Sequence, residues 1–364
     1  MQLDMHFYGT YAMARAAGLS EDTCTVIATA AQFVDDNAED QFVVLRDGAR
    51  MDIKATAHHT ADTSNINLAD QRFVWVPFHF LPGNEGASYT ERLLCRKDSI
   101  LAREMVDHHL SKSDEPYAAA LIGAAAHVYA DTFSHYGFSG IGSRCNRVQN
   151  ETIEFHGLDQ EIKSYIEQKS EEFFARLGGH GGLVENFRAF ALDAVEKISG
   201  ALGHGSVATF PDRPYLNWSF DYENDNQASL PRNNHATFLE ACKALHGMFS
   251  RFAIARPDLA DCPPKSFSDI REVISDVLAT QADCSGRIEA WRKAAAHGDL
   301  FSGGSEILPT YNEDTWHMQR ANLSQLPDSR DALTQDVFRF YQAAAIHRTY
   351  VLRDLMPKHG LVID

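Results

Sequence analysis

The stretch from Glu115 to Gly137 constrains the fold more than any other part of the chain. Its first half, Tyr117 to Ala126, is alanine-rich and apolar on every side, which predicts a buried central helix over 115–137. Into that helix fall His127, Asp131 and His135, at intervals of four. Each step of four overshoots a full turn by only ~40°, so the three side chains share one stripe. A buried carboxylate between two imidazoles is costly unless something neutralises it. A divalent cation does so, and this donor set suits zinc, with iron or manganese as alternatives. The competing expectation is a hydrogen-bonded His–Asp–His network with no metal.

Around this segment the pattern is mostly helical. His6 to Ala17 has helical spacing, and Ser20 caps a second helix that runs to Asp35 and Asp36, with Glu21 and Asp22 in its first turn. Asp47-Gly48 between alternating runs predicts a β-hairpin near 42–54. Phe73 to Phe80 reads as a short β-like run ending at Pro82-Gly83. Further helices are expected near 89–111, 158–177, 183–202, 234–254, 266–281, 284–297 and 331–355, with a looser stretch at 298–330. No repeat or compositional break divides the 364 residues. The expectation is an all-α, multi-helix single domain over 1–364, in which 1–140 forms the core of a metal site and 141–364 completes its pocket.

The net charge of −17 disfavours binding to duplex nucleic acid. Three divalent cations would nevertheless add six positive charges in one pocket, so a local anion site is compatible with an acidic surface. The six cysteines are scattered without a Cys-x-x-Cys pair, which argues for free thiols rather than a disulfide framework or thiolate zinc finger. The first residues lack a basic, apolar leader, and no apolar run is long enough for a membrane span. A cytoplasmic location is expected.

Other candidate ligands sit at punctuated positions. Asp4 and His6 converge if the backbone is extended there. Asp35 and Asp36 end a helix, where carboxylates oppose the dipole unless a cation compensates. His79 lies between two phenylalanines and needs a partner if buried. His58 is the alternative to His79. His204 stands between two glycines, near the rigid Pro211–Tyr215 loop that offers Asp212 and Arg213.

This order of residues resembles the zinc-dependent phospholipase C superfamily, which also contains zinc nucleases specific for single strands. The resemblance covers about the first 140 residues. It implies an early ligand at His6, then Asp35 or Asp36, then His79 or His58, with His127 and Asp131 as the central pair and His135 downstream. It also implies two or three zinc ions, with Asp131 bridging two of them. The sequence departs from that family in three ways. The freed amino terminus used there as a ligand is not expected here, and Asp4 is its candidate substitute. The gap from Asp131 to His135 is shorter, and the later His-x-x-x-Glu pair is missing, with His204 and Asp212 as the nearest replacement.

The expected activity is hydrolysis of a small or lipid-like phosphoester. Asp35, Asp36 and Asp131 are the candidate catalytic carboxylates; Arg213, Tyr215 and Trp218 are the candidate substrate contacts. The alternatives are a zinc nuclease acting on single strands and a non-catalytic, metal-stabilised helical scaffold. Adjacent His-Asp, Glu-x-x-His pairs and His-Glu-x-x-His are all absent, which argues against other metal hydrolase and oxidase classes.

Overall fold

The Ala118–Ser134 helix is the axis of the molecule, and of its residues only Ala119 is not fully buried. A computed structural model describes residues 1–58, 70–177, 202–223 and 231–363. The helix expected over 183–202 falls outside them but for its last residue.

The main helices are α1 (Thr10–Ala16), α2 (Glu21–Asp36), α3 (Ile100–Leu110), α4 (Ala118–Ser134), α5 (Gln160–Leu177), α6 (Asn234–Ala255), α7 (Phe267–Leu278), α8 (Cys284–His297), α9 (Asp314–Leu323) and α10 (Asp336–Thr349). α2, α3, α6 and α10 all pack on α4. The closest approach is at Gly123, where a Cβ would lie 2.4 Å from the Ile27 carbonyl oxygen. Only glycine lets α2 and α4 cross this tightly, and the small Ala30, whose Cβ would lie 2.6 Å from a Cβ at 123, shares the crossing.

The fold is mostly helical, but not all-α. The expected hairpin is present as β1 (Gln41–Val44) and β2 (Arg50–Ile53), paired antiparallel. A second sheet joins β3 (Val148–His156), β4 (Asn217–Tyr222) and β5 (Arg232–Asn233) in that order. It covers an aromatic cluster that includes Phe80, Phe138, Phe210 and Trp218.

Local chemistry shifts several expected boundaries. The helix expected over 89–111 is two, Tyr89–Arg92 and Ile100–Leu110, because Asp98 adopts a positive φ of 49° and Ser99 caps a new start. The β-like run at 73–80 is instead helical, as a wide turn at Gln71–Trp75 followed by Val76–Phe78. Pro77 sits in the first turn of that second segment, where its missing N–H costs nothing. The loose stretch at 298–330 contains α9. No helix among the described residues is long and apolar enough to cross a membrane.

Candidate metal centre

His127 and Asp131 project from one face of α4 toward the end of α2. The His127 Nδ1 lies 2.8 Å from the Ala31 carbonyl oxygen of α2. A carbonyl can only accept, so Nδ1 carries the proton and Nε2 presents a bare lone pair inward. The same logic fixes three more imidazoles. His79 Nε2 donates to the Thr56 carbonyl at 2.8 Å, His135 Nδ1 to the His79 carbonyl at 2.8 Å, and His204 Nδ1 to the Ala208 carbonyl at 2.6 Å. Metal-ligating histidines are anchored in this way through their second nitrogen.

The inward atoms then face one another. His127 Nε2 and His79 Nδ1 are 3.2 Å apart, two lone pairs that repel unless a cation or proton lies between them. Asp131 Oδ2 is 3.2 Å from His127 Nε2 and 3.5 Å from His79 Nδ1, while its Oδ1 is 3.2 Å from His6 Nε2. Asp35 Oδ1 stands 3.8 Å from both His79 Nδ1 and His127 Nε2. Ligand atoms around a tetrahedral zinc with bonds of ~2.0–2.1 Å are ~3.3 Å apart, so these spacings match a coordination shell.

Among the described residues, three groups of side chains could hold a metal ion: His6, His127 and Asp131; Asp35, His79 and His127; and His135, His204 and Asp212. In the third, His135 Nε2 is 3.1 Å from Asp212 Oδ1 and His204 Nε2 is 3.6 Å from Asp212 Oδ2. Asp131 lies between the groups with one oxygen turned each way.

Two features mark a demand for positive charge. Both nitrogens of His6 and the Oδ2 of Asp131 are buried with no hydrogen-bond partner. The Met1 ammonium lies 2.6 Å from Asp131 Oδ1 and 3.3 Å from Asp212 Oδ1, a cation between two buried carboxylates. Burial alone would lower that amine, but Asp131, Asp212 and Asp35 outweigh it and push its pKa up to about 11. Burial also opposes ionisation of Asp131. His135, the Met1 ammonium, His127 and His6 reverse this and hold it well below the usual carboxylate range. Asp212 is held low in the same way, chiefly by the Met1 ammonium and His204 against its own burial. His6 moves down to about 3 through burial, reinforced by His127 and Met1, so it is neutral and free to coordinate at neutral pH. Burial likewise lowers His204, to about 4, despite Asp212. For His79, burial is outweighed by Asp131 and Asp35, and its pKa rises.

A cavity of about 290 Å³ opens beside the groups. Met1, Asp35, His79, Asp131, His135, His204 and Asp212 form its polar floor. Trp75, Phe80, Phe173 and Leu202 form an apolar wall, and Thr209 stands at its edge. No lysine or arginine is among the described lining residues.

Of the residues picked from sequence, His6, Asp35, His79, His127, Asp131, His135 and His204 come together here, as does Asp212. Five others do not. Asp4 points away because the backbone over Asp4–Gly9 is a wide-turn helix rather than extended. Its carboxylate pairs with the buried Arg287 guanidinium, at 2.7 Å from Nε. Asp36, one residue beyond Asp35, turns away from the metal groups and accepts from the Tyr311 hydroxyl and Gln32. Burial pushes it up to about 6 despite those bonds. The His58 Nε2 lies 3.5 Å from Asp70, outside the three groups. Trp218 is fully buried and donates to Asn234 Oδ1, and Tyr215 is buried in the same aromatic cluster, so neither is among the described residues lining the cavity. Arg213 is also buried; its Nη2 donates to the Thr209 hydroxyl, one residue back from the cavity. Sequence reasoning missed the apolar wall, and it did not expect the amino terminus at the site, where the Met1 amino group in fact lies 2.6 Å from Asp131 Oδ1 while its expected substitute Asp4 points away. Trp75 carried a signal, four residues before His79 and so one helical turn away, but the segment was read as β.

The family described as "Family of unknown function (DUF6765)" matches residues 1–355. No curated protein and no solved structure matches the chain.

Proposed function

The chain belongs to the DUF6765 family, whose function is unknown, and we propose that it is a zinc-dependent hydrolase of phosphoesters, with two or three metals held between α2, α4 and the 202–213 loop. The observation that carries this reading is the set of four imidazoles that each give their N–H to a backbone carbonyl and turn a lone pair toward ionised Asp131 and Asp212. A structural network of imidazoles would have its protons between these groups; here the four imidazole protons point outward, and it is the Met1 ammonium that donates to Asp131.

When bound, the metals supply Lewis acidity, which brings the pKa of water near neutrality and offsets charge developing on phosphoryl oxygens. His6, His79, His127 and Asp131 hold the inner positions. His135, His204 and Asp212 hold the outer one. Asp35 is one-third exposed at the cavity floor, which suits it to accept a proton from the attacking water as well as to ligate. Trp75, Phe80, Phe173 and Leu202 receive an apolar or aromatic group attached to the phosphate and shield it from solvent. Among the described lining residues the cation is the Met1 ammonium, already held by Asp131 and Asp212, so an anionic substrate would take its charge partner chiefly from the metals.

A small or lipid-like phosphodiester is the favoured substrate over nucleic acid, since the net charge of −17 repels a long polyanion. Six scattered cysteines without a Cys-x-x-Cys pair fit a reducing, cytoplasmic setting.

The test is elemental analysis of protein purified without chelator, then assay of the zinc-loaded protein on bis-p-nitrophenyl phosphate, phospholipid vesicles and single-stranded DNA. Two or three zinc equivalents with turnover of the small or lipid diester support the reading. Turnover of DNA alone would make it a single-strand nuclease. One tightly held zinc with no turnover on any substrate would leave a metal-stabilised scaffold and refute the hydrolase.

A further inference from the structure

Behind the metal groups, on the side away from the cavity, three histidines lie in series between α3 and α10. His347 Nε2 is 2.7 Å from the Pro77 carbonyl oxygen. His347 Nδ1 is 2.9 Å from His109 Nε2, and His109 Nδ1 is 3.0 Å from His108 Nδ1. His109 and His347 are fully buried, and His108 stacks on the Tyr350 ring at the surface with centroids 3.6 Å apart.

The carbonyl end sets every proton in this chain. Pro77 can only accept, so His347 carries its proton on Nε2 and accepts at Nδ1. His109 must then donate from Nε2 and accept at Nδ1, and His108 donates to it. Because the series ends on a peptide carbonyl, it conducts no proton into the site. Its effect is mechanical. Pro77 lies in the last turn of the short Val76–Phe78 helix, where a carbonyl has no intrahelical partner, and His347 satisfies it. Two residues on is His79.

The next residue of α10 holds the same ligand from a second direction. Arg348 Nε donates to the Phe73 carbonyl at 2.7 Å, and its Nη2 donates to the Ala55 carbonyl. Its guanidinium also lies over the Phe78 ring, 4.9 Å from the centroid. Ala55 precedes Thr56, whose carbonyl accepts from His79 Nε2 and so decides which ring nitrogen faces the metal groups.

We infer that His347 and Arg348 are positioning residues for the His79 ligand. His347 fixes the helix that carries His79, and Arg348 fixes the carbonyl that selects its tautomer. The histidine series anchors His347 from the surface, which explains imidazoles at two fully buried positions where an apolar side chain would pack at lower cost. The inference rests on the proposed metal reading for its purpose, but not for its geometry.

The experiment uses the full chain, ¹⁵N-labelled at histidine, as wild type, His347→Leu, His347→Gln, His109→Leu and Arg348→Met. In metal-free protein, ring ¹⁵N shifts report the His79 tautomer. In parallel, zinc affinity is read by competition with a chromophoric chelator. Wild-type His79 is expected to be protonated at Nε2. In His347→Leu and Arg348→Met it becomes a tautomer mixture, and one zinc equivalent is held ~10–100-fold more weakly, the range for loss of such outer partners. His347→Gln, whose amide N–H can still reach Pro77, restores most of the affinity. Where His347→Leu does not fold, by circular dichroism, His109→Leu and Arg348→Met give the same reading. An unchanged tautomer and unchanged zinc isotherm in the folded variants overturn the inference and leave the metal reading intact. A wild type that takes up no zinc, with the tautomer shifts as expected, overturns the metal reading and leaves the positioning intact.

Discussion

The inner end of the cavity, where His6, Asp35, His79 and His127 surround Asp131, is carried by helical segments. At the outer end, His204 and Asp212 come from short turns between residues 202 and 213 and meet His135 at the very end of α4. The inner donors are set by close-packed helix crossings, above all the Gly123–Ile27 contact. The outer donors are set by a few backbone hydrogen bonds, such as His204 Nδ1 to Ala208. Packed helices fix atoms against many neighbours at once, whereas a turn fixes them against few. The two ends should therefore differ in how tightly they hold an ion and in how locally a change is felt.

Asp131→Ala is the most severe test. Its two oxygens face different groups, so the variant should lose more than one metal equivalent, read by elemental analysis, and lose hydrolysis with them. Loss of a single equivalent would show that the carboxylate is not shared. His204→Ala should remove one equivalent and leave the inner ions in place; release of all the metal would erase the distinction between the two ends. Asp4→Asn should leave metal content unchanged while destabilising the fold by about 3–5 kcal/mol, because it strips the partner from buried Arg287. A urea melt gives that value, and lost metal in a folded variant would return Asp4 to the ligand set.

Acidification provides a smaller effect. Burial lowers the His347 pKa to about 4, against about 6.5 in the unfolded chain. The unfolded state therefore takes up a proton first, and stability falls as pH drops from about 6.5 to about 4, by about 3 kcal/mol from this residue. Denaturation midpoints across that window should decline less in His347→Gln than in wild type. Gly123→Ala is expected to be the mildest, about 1–3 kcal/mol, since α2 must shift away from α4. Its informative readout is metal: the inner ions should weaken and the outer one should not.

The difference between the two ends also decided what the sequence could reveal. His127, Asp131 and His135 were legible because helical periodicity converts spacing directly into a shared face. Asp35 was legible as an acid in an unfavourable dipole position. Asp36 was inseparable from it until α2 had a fixed rotation about its axis. Asp4 was misplaced because the wide turn at Asp4–Gly9 adds a residue to the helical repeat and swings it toward Arg287. The run at Phe73–Phe80 is rich in aromatic and β-branched residues like a strand, yet it is helical, with backbone carbonyls held by His347 and Arg348 of α10. The β3–β4–β5 sheet was missed although Trp218, Phe220 and Tyr222 alternate at a period of two, which is the pattern of a strand. That same alternation buries Trp218 rather than offering it to a substrate. His204 and Asp212 could be named from sequence but not placed, because turns carry no period.

One consequence follows from His127 alone. Its Nδ1 is committed to Ala31, so it has a single electron pair to give, yet it is a corner of both inner groups. Two cations cannot each own that pair. Whichever ion arrives first claims the imidazole, and a second must make do with one other histidine, His6 or His79, and a carboxylate. A titration with zinc should thus proceed in unequal steps, and a second species of ion added to half-filled protein should settle at the poorer station.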